Sequence, residues 1–96
     1  MELRQAFAKA LKKTRKAHGL TQEDFCEVSS RTYLSSLERG QKSPTLEKIH
    51  ALAGAMGVHP LTLLTLAYLN LEDDDQLDSL VNRIRIELKG IIKQEE

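Results

Sequence analysis

The stretch TQEDFCEVSSRTYLSSLERG, residues 21–40, decides how this chain reads. It holds two helix starts, Thr21 and then Ser29 or Ser30, each followed by helix-forming residues, with room between them only for a sharp turn. Two short helices joined so closely make a helix-turn-helix. On the second, Leu34 and Leu37 lie one turn apart and point inward, while Thr32, Ser35, Ser36 and Arg39 fall on the other side at about 100° per residue. That outer face is small and rich in hydrogen-bonding groups. A helix that only packs has little use for such a face, whereas one that enters a DNA major groove needs donors and acceptors without bulk.

Upstream, residues 2–17 read as a first helix, with Leu3, Phe7, Ala10 and Leu11 on one side and Lys9, Lys12, Lys13 and Lys16 spread over the rest. The lysines read as a mostly solvated face whose end lies close to DNA backbone. His18-Gly19 closes this helix, because glycine takes a left-handed cap cheaply. Thr21 then caps the second helix with Asp24 as an acidic capping-box partner, and Phe25 and Val28 supply its buried side.

Downstream, Gly40 ends the third helix, and Pro44 keeps the chain out of helix until Thr45 can cap a fourth. Leu46, Ile49, Leu52, Ala53 and Met56 form that helix's inward stripe, and Gly57 stops it. His59-Pro60 starts a fifth, with proline at the first helical position. The fifth, PLTLLTLAYLN, is apolar on almost every side: Leu61, Leu64 and Tyr68 are expected in the core, and Leu63, Leu66 and Leu69 to need cover. That cover is expected from residues 74–93. The acidic run Glu72 to Asp75 suits a helix N-terminus, and Leu77, Leu80, Val81, Ile84, Leu88 and Ile91 share about 100° of arc behind it. So narrow a stripe on so small a domain reads as a seam between two chains. Ile86 points elsewhere, toward the domain body, and Gly90, costing about 1 kcal/mol relative to Ala, is an alternative end for the helix.

The chain has 96 residues, enough for one domain that buries roughly 65% of its unfolded surface. No apolar run approaches the roughly 18 residues that span a bilayer, and MELRQAFAKALKK lacks the apolar core of a signal peptide. A cytoplasmic, nucleoid-associated protein without a membrane partner is expected. The one cysteine, Cys26, cannot form an internal disulfide and reads as a small buried residue in a reducing compartment. Net charge is zero, but residues 1–50 carry +4 and residues 51–96 carry −4. The positive half contains the helix-turn-helix, as a protein with one DNA-facing side requires.

The usual signatures of catalysis are missing: there is no glycine-rich phosphate loop, His-Glu metal motif or nucleophile elbow. His18, His50 and His59 lack the spacing of a zinc site, and the acidic run lacks the glycine and spaced ligands of a calcium loop. No catalytic residue, metal or cofactor is expected.

The HGLTQEDF entry (18–25), the LERG exit (37–40) and the segment SPTLEKIHALAGAMGV (43–58) stand in the order found in the XRE family of Cro/CI-type helix-turn-helix regulators, which the chain resembles from about Phe7 to Leu64. The resemblance implies five packed helices and operator binding in the major groove. It implies that Ser30, Arg31, Thr32 and Ser36 read bases, and that Gln22, Arg39, Lys42 and Ser43 contact phosphates. Arg31 is the foremost candidate, because a guanidinium near a helix N-terminus can pair bidentately with guanine. Tyr33, on the flank, reads either as a sugar or thymine contact or as a packing residue. Arg15 and Glu38 match the family's buried ion pair, and Glu38 does fall on the inward side of its helix, where an unpaired carboxylate is costly. The span between the second helix start and ERG is shorter than the family's, and the usual Ala-Gly turn is missing. The turn is therefore tighter or the second helix shorter, and either Ser29 or Ser30 begins the third.

The fold expected is all-α: a five-helix lambda-repressor-like DNA-binding domain in residues 1–70 and a C-terminal amphipathic dimerisation helix in residues 71–96. The function expected is a sequence-specific transcriptional regulator, a repressor by default. Its partners are double-stranded DNA, bound at an inverted repeat, and a second copy of itself, with Leu77, Leu80, Val81, Ile84, Leu88 and Ile91 at the interface. The alternatives are a restriction-modification controller or antitoxin-type regulator whose C-terminal part binds a partner protein, or an interaction module that does not bind DNA.

Overall fold

The computed structural model describes residues 1–72 and 77–95. Among these the structure is helical throughout: α1 (Leu3–Ala17), a single 3₁₀ turn (Gln22–Phe25), α2 (Arg31–Glu38), α3 (Leu46–Met56), α4 (Pro60–Glu72) and α5 (Leu77–Glu95). The helix expected after Thr21 is thus one turn long. Its start is made as its sequence suggests, with the Asp24 carboxylate accepting from Thr21 N at 2.7 Å, but too few residues separate it from Ser30 for a second turn. Phe25 is buried and Val28 packs half-buried against the same core, so the turn keeps its anchor there.

α1 and α4 share the most extensive contact in the molecule. Ala6, Ala10 and Ala67 are fully buried, and side chains this small let two helix backbones approach closely. Around this seam Phe7, Leu11, Phe25, Leu34, Leu37, Leu52 and Leu63 form one core. Each such burial is worth roughly 1.5–3 kcal/mol relative to exposure. Thr45 caps α3 by accepting from Lys48 N at 3.1 Å, and Gly57 ends it at φ 73°, left-handed backbone that glycine takes without strain. At the start of α4, His59 Nδ1 accepts from Leu61 N at 3.0 Å. α3 and α4 meet at 106°, and among the described residues no single helix is long and apolar enough to cross a membrane.

The structure corrects the expected facing of α4. Leu63 is the residue fully buried, with Ala67, while Leu61 is 62% exposed and Tyr68 is exposed as well; Leu64 and Leu66 are half-buried against the core. A helix apolar all round carries no stripe to read, and the small residues of α1 select the face instead. Leu3 and Leu46, expected inward, are also exposed.

Glu72 closes α4 rather than opening the last helix, and the rest of the acidic run, Asp73 to Asp75, lies outside the described residues. α5 continues through Gly90 to Glu95. It lies beside α4 across open apolar grooves lined by Leu61, Leu64 and Tyr68 on one side and Leu80 and Ile84 on the other. From Leu77 to Gln94 every side chain except half-buried Leu80 is exposed. Ile86 is among them at 62%, so it is not buried against the domain body.

Candidate nucleic-acid interface

The interface is built from inside out, beginning with Arg15 on α1. Its Nε donates to Glu38 Oε2 at 2.6 Å and its Nη2 to Glu38 Oε1 at 2.9 Å, while Nη1 donates to the Leu20 carbonyl at 2.9 Å. Both side chains are at least nine-tenths buried. The Glu38 hydrogen bond, followed by the Coulombic attraction, holds the Arg15 guanidinium above its usual range against the opposing effect of burial. Gln22 Nε2 also donates to Glu38 Oε1, at 3.2 Å. One carboxylate therefore ties α1, the 3₁₀ turn and α2 together and sets the angle at which α2 is presented. Gln22, implied as a phosphate contact, spends one amide hydrogen here and keeps a second for an outside acceptor.

Ser30 begins α2, its Oγ accepting from Tyr33 N at 3.1 Å. Ser29 is buried, with its Oγ donating to the Ser30 carbonyl at 3.2 Å. The register left open by the short turn is thereby settled. Arg31, the first residue of the helix, projects into solvent and forms an ion pair with Glu23 at 3.1 Å, both side chains being at least 70% exposed. Thr32 is exposed and Ser35 half-buried.

Ser36 departs from its expected place. It is 7% exposed, and its Oγ donates to the Thr32 carbonyl at 3.0 Å. The chain leaving α2 turns at Gly40 and comes back on this side, with Gln41 N donating to the Ser36 carbonyl at 3.0 Å. A helical wheel contains the helix alone and cannot show that return. The outer face therefore consists of Ser30, Arg31, Thr32, Ser35 and Arg39, without Ser36.

A second cationic group follows α2. Arg39 is exposed beside Gln41, and Lys42 and Ser43 are exposed in the loop. The Tyr33 ring has the Lys42 ammonium 5.3 Å from its centroid and the Lys48 ammonium at 5.4 Å, distances at which the ring quadrupole attracts a cation. Lys48 Nζ also donates to the Val28 carbonyl at 2.7 Å. Lys48 and Glu23 are the residues that sequence reasoning missed. Both are marked by partners 8 and 20 residues away, beyond the reach of helical periodicity. Cys26, expected buried, is exposed, because the segment is too short to wrap its far side.

Chemically, the surface offers hydroxyls and a guanidinium on a protruding helix, with ammonium groups along one flank. It suits a polyanion whose bases carry acceptors. Among the described residues no group of His, Cys, Asp and Glu could hold a metal ion.

Comparison with known proteins points the same way. A family model described as helix-turn-helix matches residues 11–63. An uncharacterized HTH-type transcriptional regulator, y4dJ, of Sinorhizobium fredii is 40% identical over 67 residues, covering 68% of this chain and 87% of the relative. The control protein C.SmaI of Serratia marcescens is 33% identical over 67 residues, covering 68% and 80%. Among solved structures, the clp gene regulator ClgR from C. glutamicum superposes with a TM-score of 0.67 at 33% identity, covering 71% of this chain and 90% of that one. A second ClgR structure covers all of this chain and 96% of the other at the same TM-score; at 24% identity that likeness shows the fold alone.

Proposed function

This chain belongs to the XRE family of helix-turn-helix transcription regulators, and we propose that it is a sequence-specific repressor that binds an inverted-repeat operator as a homodimer. The observation that carries this reading is the outer face of α2, where Arg31 and Thr32 stand exposed on a helix held from behind by the buried Arg15–Glu38 pair. Arg31 reads guanine through a bidentate pair, and Ser30, Thr32 and Ser35 make shorter contacts. Gln22, Arg39, Lys42, Ser43 and Lys48 take phosphates, fixing register without reading sequence. Residues 1–70 form the DNA-binding domain and residues 71–96 the dimerisation segment, through Leu77, Leu80, Val81, Ile84, Leu88 and Ile91. Two linked copies raise affinity through effective concentration, and a bound dimer represses by occluding a promoter.

The likeness to control protein C.SmaI favours, as a second reading, a restriction-modification controller. Both readings share the DNA-binding step. Selection of bound sequences from a random duplex pool tests that step, in about 150 mM salt so that loose phosphate binding is suppressed. The expected result is an enriched inverted repeat with half-site centres about 34 Å apart, or a multiple of that. No enrichment by folded protein would favour the interaction module over either regulator.

A further inference from the structure

We propose that α5 pairs antiparallel with α5 of a second copy, about a two-fold axis through Ile84. This rests on the homodimer reading and adds its direction and register. Leu77, Leu80, Ile84, Leu88 and Ile91 are spaced by three, four, four and three residues, a sequence of intervals that is the same in both directions. A helix with that property meets its own reversed copy layer on layer: Leu77 against the partner subunit's Ile91, Leu80 against the partner subunit's Leu88, and Ile84 against the partner subunit's Ile84. Val81 alone has no apolar counterpart, its mirror position being Glu87.

The surface is open for such a partner. Leu77, Ile84, Leu88 and Ile91 are 40–58% exposed and Leu80 is half-buried, although α5 already lies beside α4. The charges fit the same register. Arg83 and Glu87, now bonded to each other at 3.2 Å, lie on one flank of the stripe, and antiparallel pairing brings like flanks together. Each then comes opposite its complement, Arg83 facing the partner's Glu87 and Glu87 facing the partner's Arg83. A parallel pair would instead face each flank with the partner's opposite flank and lose this reciprocal pairing. The antiparallel arrangement also leaves the two DNA-binding domains attached at opposite ends of the pair, about 21 Å apart along its axis at the helical rise.

Disulfide trapping reads the register, because a disulfide bridges only Cα atoms within about 7 Å. Exposed Cys26 is first replaced with serine, and every cysteine introduced lies on exposed α5, so the domain core is untouched. Under mild oxidation Ile84→Cys alone should give a covalent dimer. Leu77→Cys alone and Ile91→Cys alone should not, while the two together in one chain should. Covalent dimers from Leu77→Cys alone and Ile91→Cys alone would overturn the antiparallel register in favour of a parallel one. A dimer in sedimentation that none of the variants traps would overturn a pairing through α5 altogether. If the Cys26→Ser chain sediments as a monomer throughout the micromolar range, the homodimer reading fails as well.

Discussion

Two ion pairs on neighbouring elements behave differently because one is buried and the other is wet. Arg15 and Glu38 are enclosed, and removing one partner leaves a charge with nothing to offset its desolvation. Glu38→Ala should cost about 3–5 kcal/mol, read as a lower urea midpoint, while replacing both residues with Met should restore most of the loss. A single-variant effect under about 1 kcal/mol would contradict this role. Glu23 and Arg31 are exposed to water and screened, so their bond adds little stability. Its consequence lies in binding. Glu23 puts a carboxylate on the surface proposed to face DNA and occupies the guanidinium proposed to read a base. Freed by Glu23→Gln, Arg31 can take a phosphate, which steepens the dependence of log affinity on log salt by about 0.9 and strengthens non-specific binding. An unchanged slope would sink that account. The inward place of Glu38 was legible because it falls beside Leu34 on the wheel. Ser36 was misplaced because the chain that covers it comes from beyond the helix. Cys26 was misplaced because a full helix was expected where one turn forms.

Boundaries were the most legible feature of the elements, since they are written in caps. Ser30, Thr45, Gly40 and Gly57 act where local chemistry puts them. Facing was legible only where polar residues break the apolar pattern, as in α1 and α3 beyond their exposed first residues, Leu3 and Leu46; α4 has no such break, and its buried side is chosen by the alanines of α1. Gly40 shows how tightly the end of α2 is held. Its φ is 71°, and a Cβ there would meet Gln5 Cγ at 3.3 Å and Gln5 Cα at 3.6 Å. Gly40→Ala should therefore destabilise the domain by about 1–2 kcal/mol through the left-handed backbone, and it should weaken DNA binding beyond the unfolded fraction by tilting α2 away from α1. Thermal unfolding and binding titrations on one preparation separate the two effects. Wild-type affinity per folded molecule would show that α2 is not held by this contact.

At the scale of the molecule, the charge division visible in the sequence has a structural basis. The positive half contains α1, the turn, α2 and the loop of Lys42, and the other half contains the exposed apolar surface of α4 and α5. Composition could therefore separate a basic half that contains the helix-turn-helix from an acidic half that contains the exposed apolar surface. What it could not supply was the shape of either side, which depends on contacts between residues far apart in the chain. The central claim is that α2 reads sequence through its outer face, and the most direct measurement repeats the duplex selection with Arg31→Ala beside the wild type, both checked for folding. The account predicts that the wild type enriches an inverted repeat and that the variant loses its preference at one symmetric pair of positions while keeping the rest, each lost contact worth about 1–3 kcal/mol. The same enriched sequence from both proteins would contradict it.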